Sequence, residues 1–129
     1  MIKQKVYIET SVISYLTSKP SRDLIIAAHQ QITYDWWNTI KPNAECYISQ
    51  FVIDEIQKGD SEAAQFRLKA IENLLILEVN DNIKNLAKKY QELLNLPEKS
   101  KLDAFHLAIA VIHRIDYLMS WNCKHIAAA

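Results

Sequence analysis

Lys5-Val6-Tyr7-Ile8-Glu9-Thr10-Ser11-Val12-Ile13 is the stretch on which the fold turns. Val6, Tyr7 and Ile8 are consecutive bulky apolar residues, the pattern of a strand buried on both faces. The abrupt change at Glu9 ends that strand. Thr10 or Ser11 can then cap a helix with Val12, Ile13 and Leu16 on its apolar side. A buried strand that feeds directly into a helix is the opening half of a βαβ unit.

The same punctuation repeats along the chain. Lys19-Pro20-Ser21 breaks the first helix, and a longer one follows from about Arg22 to Ile40, stopped by Pro42. Its stripe is Ile25, Ala28, Ile32 and Trp36, widened by Ile26, Tyr34 and Trp37. Glu45–Ser49 reads as the second strand, with Ser49 as the N-cap of a helix that ends at Gly59 in a left-handed C-terminal cap. Asp60 or Ser61 opens another helix to about Asn73. Leu74–Val79, a near-continuous apolar run, reads as the third strand. Asn80 or Asp81 caps a helix closed by Pro97, and Ser100 caps the most apolar helix, from Lys101 to about Arg114. Asp116–Ser120 is the fourth strand. Strands alternating with helices predict an α/β fold: a central parallel sheet of four to five strands, covered on both faces.

The chain has 129 residues, half of them apolar, so the expectation is one domain spanning residues 1–129. A chain of that size buries on the order of two-thirds of its unfolded surface and needs no disulfide or metal staple. Met1 to Glu9 holds no signal-peptide core, and no run approaches the roughly 20 apolar residues of a membrane span. Cytoplasm is the expected location, with Cys46 and Cys123 as reduced thiols. Net charge is zero, so any nucleic-acid contact must be local, metal-mediated or shared with another subunit.

In open α/β sheets, sites form at the carboxyl ends of the strands. Glu9 ends the first strand, and Glu55 lies on the helix directly after the second. Asp103 sits in the first turn of the helix before the fourth strand, and Asn122 follows that strand. All four are expected at one edge of the sheet. Oxygen donors without a matched Cys or His pair suit Mg2+ or Mn2+. Such an ion would relieve the repulsion between Glu9, Glu55 and Asp103, make a nucleophile of water and steady an anionic transition state. Each residue also has an ordinary reading: Asp103 as a helix cap after Ser100, Glu9 as a surface acid, Glu55 as solvated, Asn122 as a turn residue. Their joint placement favours the site.

With those positions set, the chain resembles PIN-domain proteins, specifically VapC-like toxins of bacterial type II toxin–antitoxin pairs. The resemblance rests on Val6-Tyr7-Ile8-Glu9-Thr10-Ser11-Val12-Ile13-Ser14, on Ile48-Ser49-Gln50-Phe51-Val52-Ile53-Asp54-Glu55-Ile56, on Lys101-Leu102-Asp103-Ala104-Phe105-His106-Leu107-Ala108-Ile109-Ala110, and on Asp116-Tyr117-Leu118-Met119-Ser120-Trp121-Asn122. It implies a three-layer α/β/α sandwich and a metal-dependent ribonuclease, usually dimeric and silenced by a cognate antitoxin. It further implies that Glu9, Glu55 and Asp103 hold the metal, that Asn122 assists, and that Ser11 is the family hydroxyl that orients an acid or a metal-bound water. Glu9 stands where the family usually has Asp, and Asn122 where an acid is common, which favours one ion over two. Relatives commonly continue into another strand, so the domain reads as shortened at its C-terminus.

His106, one turn from Asp103, reads first as a buried, hydrogen-bonded histidine and second as a proton carrier. His29, His113 and His125 form no metal set. Of Trp36 and Trp37, one reads as core and the other as part of an antitoxin or dimer surface. Lys84, Lys88 and Lys89 read as a solvated face. A catalytically weak PIN-fold protein that binds RNA or antitoxin is the competing function. A receiver-like phosphoacceptor domain fits less well: it expects paired acids after the first strand and a late-strand Lys, and both are missing.

Overall fold

The computed structural model describes residues 3–122. The expected N-terminal strand is β1 (Lys5–Ile8). Helices α1 (Thr10–Thr17) and α2 (Leu24–Thr39) lead to β2 (Glu45–Ser49), and α3 (Gln50–Ile56) and α4 (Ser61–Ile71) lead to β3 (Leu75–Leu77). Then α5 (Asp81–Leu93) and α6 (Lys101–Ile112) lead to β4 (Tyr117–Met119). The four strands are all parallel, in the order β3-β2-β1-β4.

The right-handed rule for parallel crossovers expects α1 to α4 on one face of the sheet, as the chain passes from β1 out to β2 and β3. It expects α5 and α6 on the other, as the chain returns past β1 to β4. The packing agrees: α1 lies against α2, α3 and α4, while α5 lies against α6. The expected α/β/α sandwich is thus formed. Strand order reverses between β1 and β4, so the switch point where such sheets bind ligands lies at the ends of those two strands.

β1 sits at the centre of the core. Tyr7 and Ile8 are fully enclosed, joined by Val12 and Ile13 of α1, Ile48 of β2, and Val52 and Ile56 of α3. Ile83, Ala104, Ala108 and Ile109 close the other face. α6 ends in a Schellman turn. Arg114 takes a left-handed φ of 54°, and the Ile115 N–H bonds the Ala110 carbonyl at 2.9 Å. That turn aims the chain into β4, where the Asp116 N–H meets the Lys5 carbonyl and the Asp116 carboxylate accepts from the Lys5 N–H.

Several local expectations are corrected. Thr10 and Ser11 lie inside α1, and its cap is Glu9, whose carboxylate accepts from the Ser11 N–H. Ser49 and Ser100 occupy N-cap positions, yet neither side chain makes a cap bond. The Ser49 hydroxyl is drawn to Tyr7 instead, and the Ser100 Oγ is buried without a hydrogen-bond partner. α3 ends at Ile56, and Gly59 supplies a left-handed turn (φ 85°) just beyond it. The third strand is not enclosed: β3 pairs with β2 alone and lies at the sheet edge, leaving Leu75 and Ile76 exposed.

The largest correction concerns α2. Its buried residues are Gln30 and Thr33, held by bonds from Gln30 Nε2 to Ser18 and Lys19 and from Trp121 Nε1 to Thr33 Oγ1. These polar anchors rotate the helix so that Ile25 and Ile32 of the apolar stripe face outward. Trp36 and Trp37 both pack against the core from its margin. Ile56→Ala should lower stability by about 2–5 kcal/mol. Ile32→Ala should change it by no more than about 0.5 kcal/mol. Urea midpoints for the two variants provide the comparison, and equal losses would contradict the outward orientation of α2.

Candidate metal centre

A carboxylate withdrawn from water must be met by donors. Glu9, at the tip of β1, is only 5% exposed. Its Oε1 accepts from the Ser11 N–H at 3.0 Å, from the Ser120 hydroxyl at 2.8 Å, and from the Ser11 hydroxyl in a very short contact. Ser11 Oγ in turn accepts from the Trp121 N–H, and Ser120 Oγ from the Asn122 N–H. The backbone bond from Glu9 N–H to the Met119 carbonyl completes the tie. The start of α1 and the end of β4 are therefore laced together through one side chain, at the switch point.

Glu55 arrives from α3. Its Oε1 accepts from Thr10 Oγ1 at 2.9 Å and faces His106 Nε2 at 3.3 Å. Burial acts to raise the Glu55 pKa, but the bonds from His106 and Thr10 outweigh it and hold the carboxyl below its ordinary value. His106, on α6, is 1% exposed, and its Nδ1 lies 2.6 Å from the Tyr7 hydroxyl. That hydroxyl is also 2.7 Å from Ser49 Oγ. Burial, reinforced by the Glu9 and Glu55 charges, pushes the Tyr7 phenol far above its usual pKa despite the bond to Ser49. Tyr7 stays protonated.

Glu9, Glu55 and His106 each present a ligand-type atom, and these atoms lie within 4.8 Å of one another. Asp103 is buried on the first turn of α6, where its Oδ1 accepts from Asn122 Nδ2 at 3.2 Å. Asn122 itself is exposed. The sequence-derived residues thus fall into two bonded groups: Glu9 with Ser11, and Asp103 with Asn122. Glu55 joins Glu9 through the cluster that also includes His106. The donor set fits a divalent cation, because hydrogen bonds engage Oε1 of both glutamates and, among the described residues, none engages Oε2.

Sequence reasoning missed four participants. Tyr7 read as core, Ser49 as a cap and Thr10 as a cap, while Ser120 read as the last residue of a strand. Only a hydroxyl amid an apolar run (Tyr7) and a serine at a strand end (Ser49, Ser120) could have pointed to them. His106 was legible as a buried, bonded histidine, and it is one. His29 stacks on Trp121 with ring centroids 4.0 Å apart, a packing role. Lys84, Lys88 and Lys89 are solvated, while Cys123 and His125 lie outside the described residues.

No helix among the described residues is long and apolar enough to cross a membrane. The comparisons with curated proteins and with solved structures returned no match. A family model, described as PIN domain, matches residues 6–122, from the first core strand to Asn122. PIN domains are generally metal-dependent nucleases, and the Glu9–Glu55–His106 cluster is a donor set able to bind a metal. The match spans nearly the whole chain, both bonded acid groups included: this chain belongs to the PIN domain family.

Proposed function

We propose that the protein is a metal-dependent endoribonuclease, the toxin component of a toxin–antitoxin pair, acting as a single domain. The observation that carries this reading is the approach of the Glu9 and Glu55 carboxylates, from separate elements, to the carboxyl edge of the sheet beside His106. In this reading Glu9, Glu55 and Asp103 hold one Mg2+ or Mn2+ ion. Asn122 positions Asp103 through its amide, and Ser11 fixes the Glu9 carboxylate. A divalent cation there would acidify a bound water and offset the charge that builds on a phosphate during hydrolysis. The protein's own residues set the geometry: Thr10 and His106 restrain Glu55, while Ser11 and Ser120 restrain Glu9.

RNA as substrate follows from the family resemblance, as do the cognate antitoxin and a homodimer. The outward apolar stripe of α2 supports a protein partner. Leu24, Ile25 and Ile32 are exposed along one side of the helix, and contiguous exposed apolar surface marks interaction sites. The same stripe favours the second reading, a catalytically weak PIN-fold protein that acts by binding RNA or antitoxin.

Structured RNA should be cut in the presence of Mn2+, and EDTA should abolish the cutting. Asp103→Asn should slow it about a hundredfold or more, the rate equivalent of several kcal/mol. Cleavage indifferent to both chelator and substitution would sink the nuclease reading, whereas antitoxin binding without turnover would establish the second one. The metal-free protein should also show an acid signature of Glu55. Its folded pKa is depressed, so its stabilising contribution is present above the unfolded value of about 4.3 and is lost as pH falls through the lower folded value. Glu55→Gln should flatten the dependence of thermal midpoint on pH in that acid window. An unchanged slope would show that Glu55 is not restrained as described.

A further inference from the structure

Glu55 receives both of its hydrogen bonds on a single oxygen, Oε1, from Thr10 and His106. An ionised carboxylate only accepts, so His106 Nε2 must carry a proton to bond it. In the neutral ring that leaves Nδ1 as an acceptor, since the bond at one nitrogen sets the state of the other. The Tyr7 hydroxyl, 2.6 Å from Nδ1, is the donor available there. Tyr7 has one proton to give, so the remaining contact, 2.7 Å to Ser49 Oγ, must run from Ser49 to the Tyr7 oxygen. Ser49 and Tyr7 are fully buried and His106 is 1% exposed, so water does not compete for these bonds. Every proton in the row Ser49–Tyr7–His106 points toward Glu55.

The row bears on a choice left open by the cluster geometry. His106 lies close enough to Glu9 and Glu55 to be a metal ligand itself. Ligation through Nε2 would need the opposite tautomer, with Nδ1–H donating to Tyr7 and the bond to Glu55 broken. Resting on the metal reading above, we infer that Tyr7 and His106 are positioning residues that lock the Nε2–H tautomer onto Glu55 Oε1 and leave Oε2 as the atom offered to the cation, with His106 remaining outside the ligand set. Outer partners of this kind orient the ligating group, and their loss typically weakens metal binding about 10–100-fold.

The first test uses the unsubstituted protein. Long-range 1H–15N spectra at mildly alkaline pH, without and with Mg2+, should show His106 as the neutral Nε2–H tautomer in both states. An Nδ1–H tautomer, a doubly protonated ring, or a switch of tautomer on adding Mg2+ would overturn the inference. The second test is calorimetric titration with Mg2+, with the folding of each variant checked by its thermal midpoint. His106→Leu should weaken binding about 10–100-fold and Tyr7→Phe about tenfold. His106→Gln, whose amide can donate to Glu55, should stay within about threefold of the parent. If Glu55→Gln loses Mg2+ binding while His106→Leu and Tyr7→Phe keep it, the positioning role is wrong and the metal reading stands. If Glu55→Gln keeps full binding, the metal reading itself falls, and this inference falls with it.

Discussion

The rest of the structure depends on how Glu9 is accommodated. A nearly enclosed carboxylate at the tip of the central strand costs free energy unless it is fully met by donors, and those donors come from both ends of the described chain. Ser11 follows two residues later, whereas Ser120 lies 111 residues away in sequence. One side chain therefore caps α1, closes the switch point between β1 and β4, and stands at the site. Folding and site assembly share this bond network, so the site cannot form until the last crossover has brought β4 beside β1.

The opposite wall follows the same physics with different groups. Glu55 is partly open to solvent, with a side chain 24% exposed, and its anchor runs inward through His106 and Tyr7 to Ser49. Polar groups this deep are tolerated because each finds a partner. The row spans β1, β2, α3 and α6, that is, helices from both faces of the sheet. It therefore ties the two helical layers together at the level of the site.

The sequence exposed the architecture well because its signals are local. Val6-Tyr7-Ile8, Pro20, Pro42 and Pro97 mark element type and limits without reference to distant neighbours. The placement of Glu9 at a strand end and of Glu55 and Asp103 on helices beside strands was legible from position alone. Features settled by remote partners were hidden. Ser49 and Thr10 look like caps until Tyr7 and Glu55 draw their hydroxyls away. The α2 stripe looks like core until Gln30 and Thr33 are anchored by Ser18, Lys19 and Trp121. Leu75 and Ile76 read as enclosed because composition does not reveal which strand will lie at the edge of the sheet.

If the proposed site holds a cation, the one-sided anchoring of the two glutamates would also filter ions by size. With Oε1 occupied by protein donors, each carboxylate has a single oxygen to give. Calcium takes about six to eight oxygens and often draws both from one carboxylate, so here it would have to strip hydrogen bonds from Oε1 to fill its shell. Magnesium needs only six, prefers single-oxygen contacts and keeps several of its waters. In the proposed site, serines, a threonine and a histidine held outside the ligand set would thus decide which ion is preferred.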